Sequence, residues 1–225
     1  MKLWLKIRAF IYSVEFILSV LLVILLMSIF RKHNHKIRLI WAKFQLAFIG
    51  IKIDFHGSFD NSANMILMNH QSLLDIIVLE SIYPRNLSWI AKKEIGEIPI
   101  IGLILKLPKM IPIDRKNPRS IVGLLKDVKD RLNDGRIIAI FPEGTRSRGD
   151  KLLKFQTGAK VLTQKLSLSV QPIVLVNTRK IMDSQGFKLS KGTIKVIALD
   201  KVDTSDENWL EKTRVKMQEC LNKNI

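Results

Sequence analysis

Residues 117–147 read NPRSIVGLLKDVKDRLNDGRIIAIFPEGTRS, and this stretch decides the fold class. Its first half places Ile121, Leu124, Leu125, Val128 and Leu132 at the i, i+3, i+4, i+7, i+11 spacing of a helix with one buried face. Asn117 suits the N-cap, Pro118 the first helical position, and Gly135 the left-handed residue that ends a helix. Ile137 to Phe141 is then an unbroken apolar run, as expected of a strand covered on both faces. A helix feeding a buried strand is the repeating unit of α/β proteins. The alternation extends both ways. Candidate strands lie at 51–55, 65–68, 87–90, 110–113, 173–176 and 194–197, and candidate helices at 72–83 and 158–166. Thr204-Ser205-Asp206-Glu207 has the form of a capping box that opens a C-terminal helix reaching about Leu221. The pattern predicts an α/β fold with a mixed, partly parallel sheet flanked by helices. On pattern alone, Ile98–Leu107 suits a core segment.

The 225 residues carry 37 Lys plus Arg against 20 Asp plus Glu, a net charge of +17 that asks for an anionic partner. A hydrophobic content of 47% excludes disorder as the main state. A single cysteine, Cys220, excludes an intrachain disulfide and a zinc site built mainly on thiolates. Charge and apolar residues concentrate together at the N-terminus. Residues 1–50 hold +7, with Glu15 the sole acid, and twelve of the fifteen residues from Phe16 to Phe30 are Leu, Ile, Val or Phe. On the insertion scale these twelve favour membrane entry by about 4–7 kcal/mol, Glu15 being tolerated as a charge near one end of the run. The run ends in Arg31-Lys32-His33, which argues against a cleaved signal peptide. A single span and a helix that dips into one leaflet and returns both remain, and basic flanks on each side favour the second. Ile37, Ile40, Trp41, Phe44 and Phe48 follow at helical spacing among basic residues, the pattern of a membrane-surface helix. The expected organisation is a membrane-associated helical hairpin over 1–50 and an α/β domain over 51–225.

Three groups of residues could carry chemistry. His70 stands in Asn69-His70-Gln71-Ser72-Leu73-Leu74-Asp75, between a candidate strand and a candidate helix. Such corners point side chains and helix N–H groups at a common crevice. Asp75, one turn into the helix, can reach back to the imidazole as a base–orienter couple requires, or can simply stabilise the helix N-terminus. Phe141-Pro142-Glu143-Gly144-Thr145-Arg146-Ser147 follows a buried strand, and Arg146 offers a fork for phosphate oxygens; a solvated polar turn would look similar. Ile113-Asp114-Arg115-Lys116, with Lys92-Lys93 upstream, is the third group, and a surface ion pair is its plain alternative. His33, His35 and His56 read as surface residues. Gly144 to Gly149 has phosphate-loop spacing but is followed by Asp150, so the lysine and magnesium roles of such a loop are unfilled.

Taken in order, Asn69-His70-x-x-x-x-Asp75, Ile113-Asp114-Arg115, Phe141 to Ser147 and Val170-x-Pro172-Ile173 resemble the four motifs of the glycerolipid acyltransferases. The nearest likeness is to the bacterial 1-acyl-sn-glycerol-3-phosphate acyltransferases, and it covers Met65 to Val176. The resemblance implies that His70 is a general base oriented by Asp75. It also implies that Arg115, Glu143, Gly144, Thr145, Arg146 and Lys93 serve the phosphate-bearing substrate, with Pro172 in a structural or acyl-site role. The implied reaction moves a fatty acyl group from acyl-CoA or acyl carrier protein to the free hydroxyl of lysophosphatidate, forming phosphatidate without metal or cofactor. Ile98–Leu107 could then line an acyl site. The implied setting is the inner (cytoplasmic) membrane, with anionic phospholipid as partner and the catalytic domain on the cytoplasmic face. One departure stands out: Lys109 occupies a place where the family usually has glycine. Glycerol-3-phosphate or another lysophospholipid would fit the same motifs as acceptor. A lipid-binding pseudo-enzyme and a membrane-tethered nucleic-acid binder are the alternatives from other classes; low aromatic content and no recognised binding motif weigh against nucleic acid.

Overall fold

A computed structural model of the chain describes residues 2–115, 117 and 119–225. The chain runs through α1 (Lys2–Ile29), α2 (Asn34–Ile49), β1 (Ile51–His56), β2 (Met65–Met68), α3 (Leu74–Ile82) and β3 (Leu87–Lys92). Then come α4 (Lys93–Glu97), α5 (Leu103–Lys106), β4 (Ile111–Ile113), α6 (Ser120–Asn133), β5 (Ile137–Ile140) and α7 (Gly158–Leu166). It closes with β6 (Val170–Val176), α8 (Thr178–Ile181), β7 (Met182–Asp183), β8 (Lys188–Leu189), β9 (Gly192–Ala198) and α9 (Trp209–Asn222).

Among the described residues, seven strands form one sheet in the order β1-β9-β6-β2-β5-β3-β4, and β7 and β8 pair separately. Within it β6 and β9 are antiparallel, and every other neighbouring pair is parallel. The sheet is therefore mixed and mostly parallel. The carboxyl ends of β2, β5, β3 and β4 open on one edge, which is where α/β sheets present their crevice. The pleat of β2 sends Met65 and Leu67 to one face and Ile66 and Met68 to the other. The first face packs against α6, α7 and α9 through Leu124, Val128, Leu162, Trp209 and Met217. The second packs against α1, α2 and α3 through Ala9, Leu46, Ile77 and Val78. Each fully buried aliphatic side chain in these layers stabilises the fold by roughly 1.5–3 kcal/mol.

α1 and α2 form an antiparallel hairpin. Arg8 Nη2 donates to the Ile49 carbonyl at 2.9 Å, and Gln45 Nε2 donates to Glu15 Oε1 at 2.8 Å. Trp41 Nε1 donates to Ser19 Oγ at 3.1 Å. Glu15, at the start of the Phe16–Phe30 run, lies halfway along α1, and the buried amide of Gln45 offsets its desolvation. Phe44, Phe48 and Ile40 stay exposed, while α2 turns Ala42, Gln45, Leu46 and Ile49 inward. One helix among the described residues, Leu3–Ile29, is long and apolar enough to cross a membrane by length and composition.

Four local expectations change. The helix expected from Pro118 begins at Ser120; Asn117 Oδ1 accepts from Arg119 N in a turn ahead of it, and Pro118 and Lys116 lie outside the described residues. Gly135 ends it as expected, at φ 70° with its N–H on the Leu132 carbonyl. The capping box at Thr204 does not form. Asp203 instead accepts from Ser205, and Asp206 from Asn208 N, so α9 starts at the buried Trp209. Residues 98–107 are not a core segment. Ile98 and Ile100 are exposed, and Ile101, Ile104 and Leu105 line a cavity instead. His35 is likewise only partly a surface residue, for burial lowers its pKa below the ordinary histidine value, with Arg38 acting in the same direction.

Candidate active site

The corner between β2 and α3 is organised by one carboxylate. Asp75, fully buried, receives on its Oδ2 the backbone N–H of Gln71 at 2.6 Å and of Ser72 at 2.8 Å, and contacts His70 Nδ1 at 2.8 Å. Both sequence alternatives are therefore realised at once: Asp75 serves the helix N-terminus and the imidazole together. With Nδ1 as the donor to Asp75, Nε2 becomes the basic nitrogen of the neutral ring. The ring stacks on Phe141, with centroids 3.9 Å apart and planes 13° apart, and Trp89 stacks behind Phe141.

β5 lies beside β2, so the turn after β5 meets the His70 corner directly. Glu143 Oε1 accepts from His70 N at 2.7 Å, and its Oε2 accepts from Leu153 N at 2.8 Å. On the other side, Ser147 N donates to the His70 carbonyl at 2.8 Å. Both backbone polar groups of His70 are thus held by residues four apart in one loop. Burial pushes the Glu143 carboxyl up to about 7, opposed by the two N–H donors and assisted by Asp75. Gly144 closes the turn at φ 74°, with its N–H on the Phe141 carbonyl at 3.0 Å. A side chain there would be strained and would approach the Arg115 guanidinium, 3.5 Å from its Cβ. Arg115, after β4, thereby lies against the same loop. Partial burial holds its pKa below the ordinary arginine value, with Glu94 opposing.

An apolar cavity of about 430 Å³ opens at this corner. His70, Arg115, Gly144, Thr145 and Arg146 line its mouth, and Leu73, Ile76, Ile101, Ile104 and Leu105 line its body. Phe16, Val20 and Val23 of α1 complete the wall, and the buried Arg38–Glu80 ion pair faces it with Trp89 Nε1 donating to Glu80. Of the sequence candidates, the fold brings together His70, Asp75, Arg115, Glu143, Gly144, Thr145 and Arg146. Lys93 is not among them: it sits exposed at the start of α4, 3.5 Å from Glu97, whereas Lys92 lines the cavity. Pro172 lies within β6, paired with Leu67 of β2.

The roles of two further motif residues come from the fold. Phe141 was legible as the end of a strand, but its stacking on His70 depends on strand neighbours. Asn69 is fully buried and bonds both backbone groups of Leu175, locking the end of β2 to β6. A polar residue directly after an apolar strand was the available signal. Among the described residues, no group of three or more His, Cys, Asp or Glu side chains converges as a metal site.

The Acyltransferase family matches residues 52–176. A 1-acyl-sn-glycerol-3-phosphate acyltransferase from Helicobacter pylori is 45% identical over 172 residues, which are 75% of this chain and 73% of that protein. The chloroplastic 1-acyl-sn-glycerol-3-phosphate acyltransferase LPAT1 of Arabidopsis thaliana is 35% identical over 199 residues, 85% of this chain but 55% of the plant protein. The crystal structure of the 1-acyl-sn-glycerophosphate acyltransferase PlsC from Thermotoga maritima shares the fold, with a TM-score of 0.74 at 21% identity, covering 99% of this chain and 97% of that one. By family match and by identity, the chain belongs to the acyltransferase family.

Proposed function

We propose that the protein transfers a fatty acyl group from a thioester to the free hydroxyl of 1-acyl-sn-glycerol-3-phosphate, forming phosphatidate. The observation that carries this reading is the His70–Asp75 couple at the mouth of an apolar cavity, flanked by Arg115 and Arg146. The thioester's acyl chain lies in the cavity, and its carbonyl sits at His70. As the acceptor oxygen attacks that carbonyl carbon, His70 Nε2 takes the hydroxyl proton, a general-base contribution of about 10²–10⁴-fold. Asp75 fixes the tautomer and stabilises the imidazolium. Collapse of the tetrahedral intermediate breaks the carbon–sulfur bond, and the proton passes to the departing thiolate. The products are the ester and a free thiol.

Arg115 and Arg146 hold the acceptor phosphate by charge-assisted bonds, fixing which hydroxyl meets Nε2. Lys92, rather than Lys93, is the lysine in place to add to that charge. Glu143 and Gly144 shape the loop, and Thr145 borders the acceptor. Acyl-CoA or acyl carrier protein is the donor. Anionic phospholipid of the inner membrane is the surface partner, with residues 1–50 as the anchor, residues 51–225 as the catalytic domain, and the site on the cytoplasmic face. Nucleic acid is not a partner in this reading.

The test is thiol release by purified protein given acyl thioester with lysophosphatidate, glycerol-3-phosphate or lysophosphatidylcholine. Lysophosphatidate should be the productive acceptor. His70→Ala should lower the rate at least about 10²-fold. An active His70→Ala variant, or silence with every acceptor, would sink the mechanism.

A further inference from the structure

We infer that a second, cationic cleft behind the His70 corner receives the phosphate-bearing pantetheine arm of the thioester donor, an assignment that rests on the acyl-transfer reading above. The cleft has a volume of about 380 Å³ and lies across the motif loop from the apolar cavity. The same two chain segments contribute to both. His70 and residues 144–146 face the apolar cavity, while their neighbours Gln71, Arg148 and Gly149 face the cleft. The far wall comes from the end of β6, α8 and β8, and it supplies Arg179, Lys180 and Lys188.

The cleft is fixed to the catalytic corner by hydrogen bonds. Gln71 Nε2 donates to the Gly149 carbonyl at 3.0 Å, and Arg179 Nη1 donates to the Ser147 carbonyl at 3.2 Å. Ser72 Oγ donates to the Met182 carbonyl at 2.9 Å. Four cationic side chains meet two acidic ones there, Asp150 and Asp183, and Asp183 Oδ1 already accepts from Gln185 N; Leu221 and Ile225 add apolar lining. Among the described residues, Arg148, Lys180 and Lys188 enter none of the ion pairs within 4 Å.

A thioester donor is an apolar chain and a polar, phosphate-bearing arm joined at sulfur. Its carbonyl must reach His70, whose ring lines the apolar cavity while its chain neighbour Gln71 lines the cleft. With the chain in the cavity, the arm crosses the exposed Gln71–Gly149 edge of the motif loop, and its phosphate meets the cations of α8 and β8. Arg115 and Arg146 line the apolar cavity and remain for the acceptor, Arg146 Nη1 also donating to Ser184 Oγ at 3.3 Å, next in sequence to the cleft's Asp183.

The test uses the full chain in phospholipid with the double variant Lys180→Glu/Lys188→Glu. KM for acyl-CoA should rise by about tenfold or more, the loss expected when charge-assisted contacts are reversed, while KM for lysophosphatidate and kcat stay near wild type. Acyl carrier protein, which presents the same arm, should respond likewise. Acyl-pantetheine, which lacks the phosphate, should be used equally by wild type and variant. Lys126→Glu/Lys129→Glu, exposed on α6, controls for net charge and should change none of these. An unchanged donor KM, an equal loss with acyl-pantetheine, a shift in the lysophosphatidate KM instead, or sensitivity confined to one of the two natural donors would each overturn the assignment. Failure of the wild type to transfer from any donor would instead defeat the acyl-transfer reading itself.

Discussion

His70 is held at its backbone as firmly as at its ring. Glu143 takes its N–H, Ser147 meets its carbonyl, Asp75 binds Nδ1 and Phe141 covers one face. Glu143 has the unusual position in this set, since burial lifts its carboxyl to about 7 from the ordinary 4.5. A carboxyl whose folded pKa exceeds its unfolded one favours the folded state fully below the unfolded value, and that contribution is lost as pH rises through the folded value. Wild type should therefore lose up to about 3 kcal/mol relative to Glu143→Gln between pH 4.5 and pH 8. Urea unfolding of both proteins across that range measures it, and a pH-independent difference would refute the burial account. The variant should also lose activity by about tenfold to a hundredfold, because its amide sets an NH2 group against one of the two backbone donors and shifts His70. The candidate site was legible in sequence as far as polar residues following apolar runs could show it. The Phe141 stack and the Asn69 clamp were not, because they depend on β2 lying between β5 and β6. No local pattern states which strands are neighbours.

At the level of elements, the entry to β4 carries a local strain. Lys109 adopts φ 49° where a glycine would sit without penalty, and Arg136 Nη1 donates to the preceding Pro108 carbonyl at 2.7 Å. A left-handed conformation costs an L-residue roughly 1–2 kcal/mol, and glycine's greater unfolded freedom returns part of any gain. Lys109→Gly should accordingly stabilise the protein by up to about 1 kcal/mol, read as a shift in urea midpoint, whereas Lys109→Ala should give no comparable gain. Glu80 shows the opposite case. It pairs with the buried Arg38 and accepts from Trp89 Nε1 at 2.6 Å, so Glu80→Leu should cost about 3–5 kcal/mol by leaving the arginine uncompensated. A variant as stable as wild type in the same titration would mean that Arg38 finds another partner. Strand and helix positions were broadly legible because β2, β5 and β6 are buried on both faces and α6 on one. Helix starts were less so. At α6 and α9 Asn and Asp side chains close separate turns ahead of the helix, and the same residue types serve as caps in other settings. Residues 98–107 misled for a related reason, since an apolar stretch facing a cavity has the composition of one facing a core.

Across the whole molecule, most of the exposed large apolar side chains belong to the N-terminal hairpin. α1 leaves Trp4, Phe10, Leu18 and Leu25 exposed, and α2 leaves Ile40, Phe44 and Phe48 exposed beside them. A contiguous apolar face of this kind marks a lipid or protein contact. It borders the cavity through Phe16 and Val20, so a lipid acceptor could reach His70 without its chain crossing water. The flanking +7 of residues 1–50 adds attraction to anionic headgroups of about 1 kcal/mol per charge near the surface. These two contributions can be separated. Phe44 and Phe48 each have roughly half of the 1.5–3 kcal/mol of full burial left to gain in lipid, so replacing both by Ser should lower affinity for phosphatidylglycerol vesicles by about tenfold to a hundredfold. Both rings are about half buried by packing within the hairpin, so vesicle binding is compared at a temperature below the thermal unfolding of both proteins. Raising salt should weaken wild type and variant by the same factor, because the charges are untouched. Co-flotation with vesicles at two salt concentrations reads both effects. Unchanged flotation of the Ser variant would remove α2 from the membrane contact and leave α1 to carry it alone.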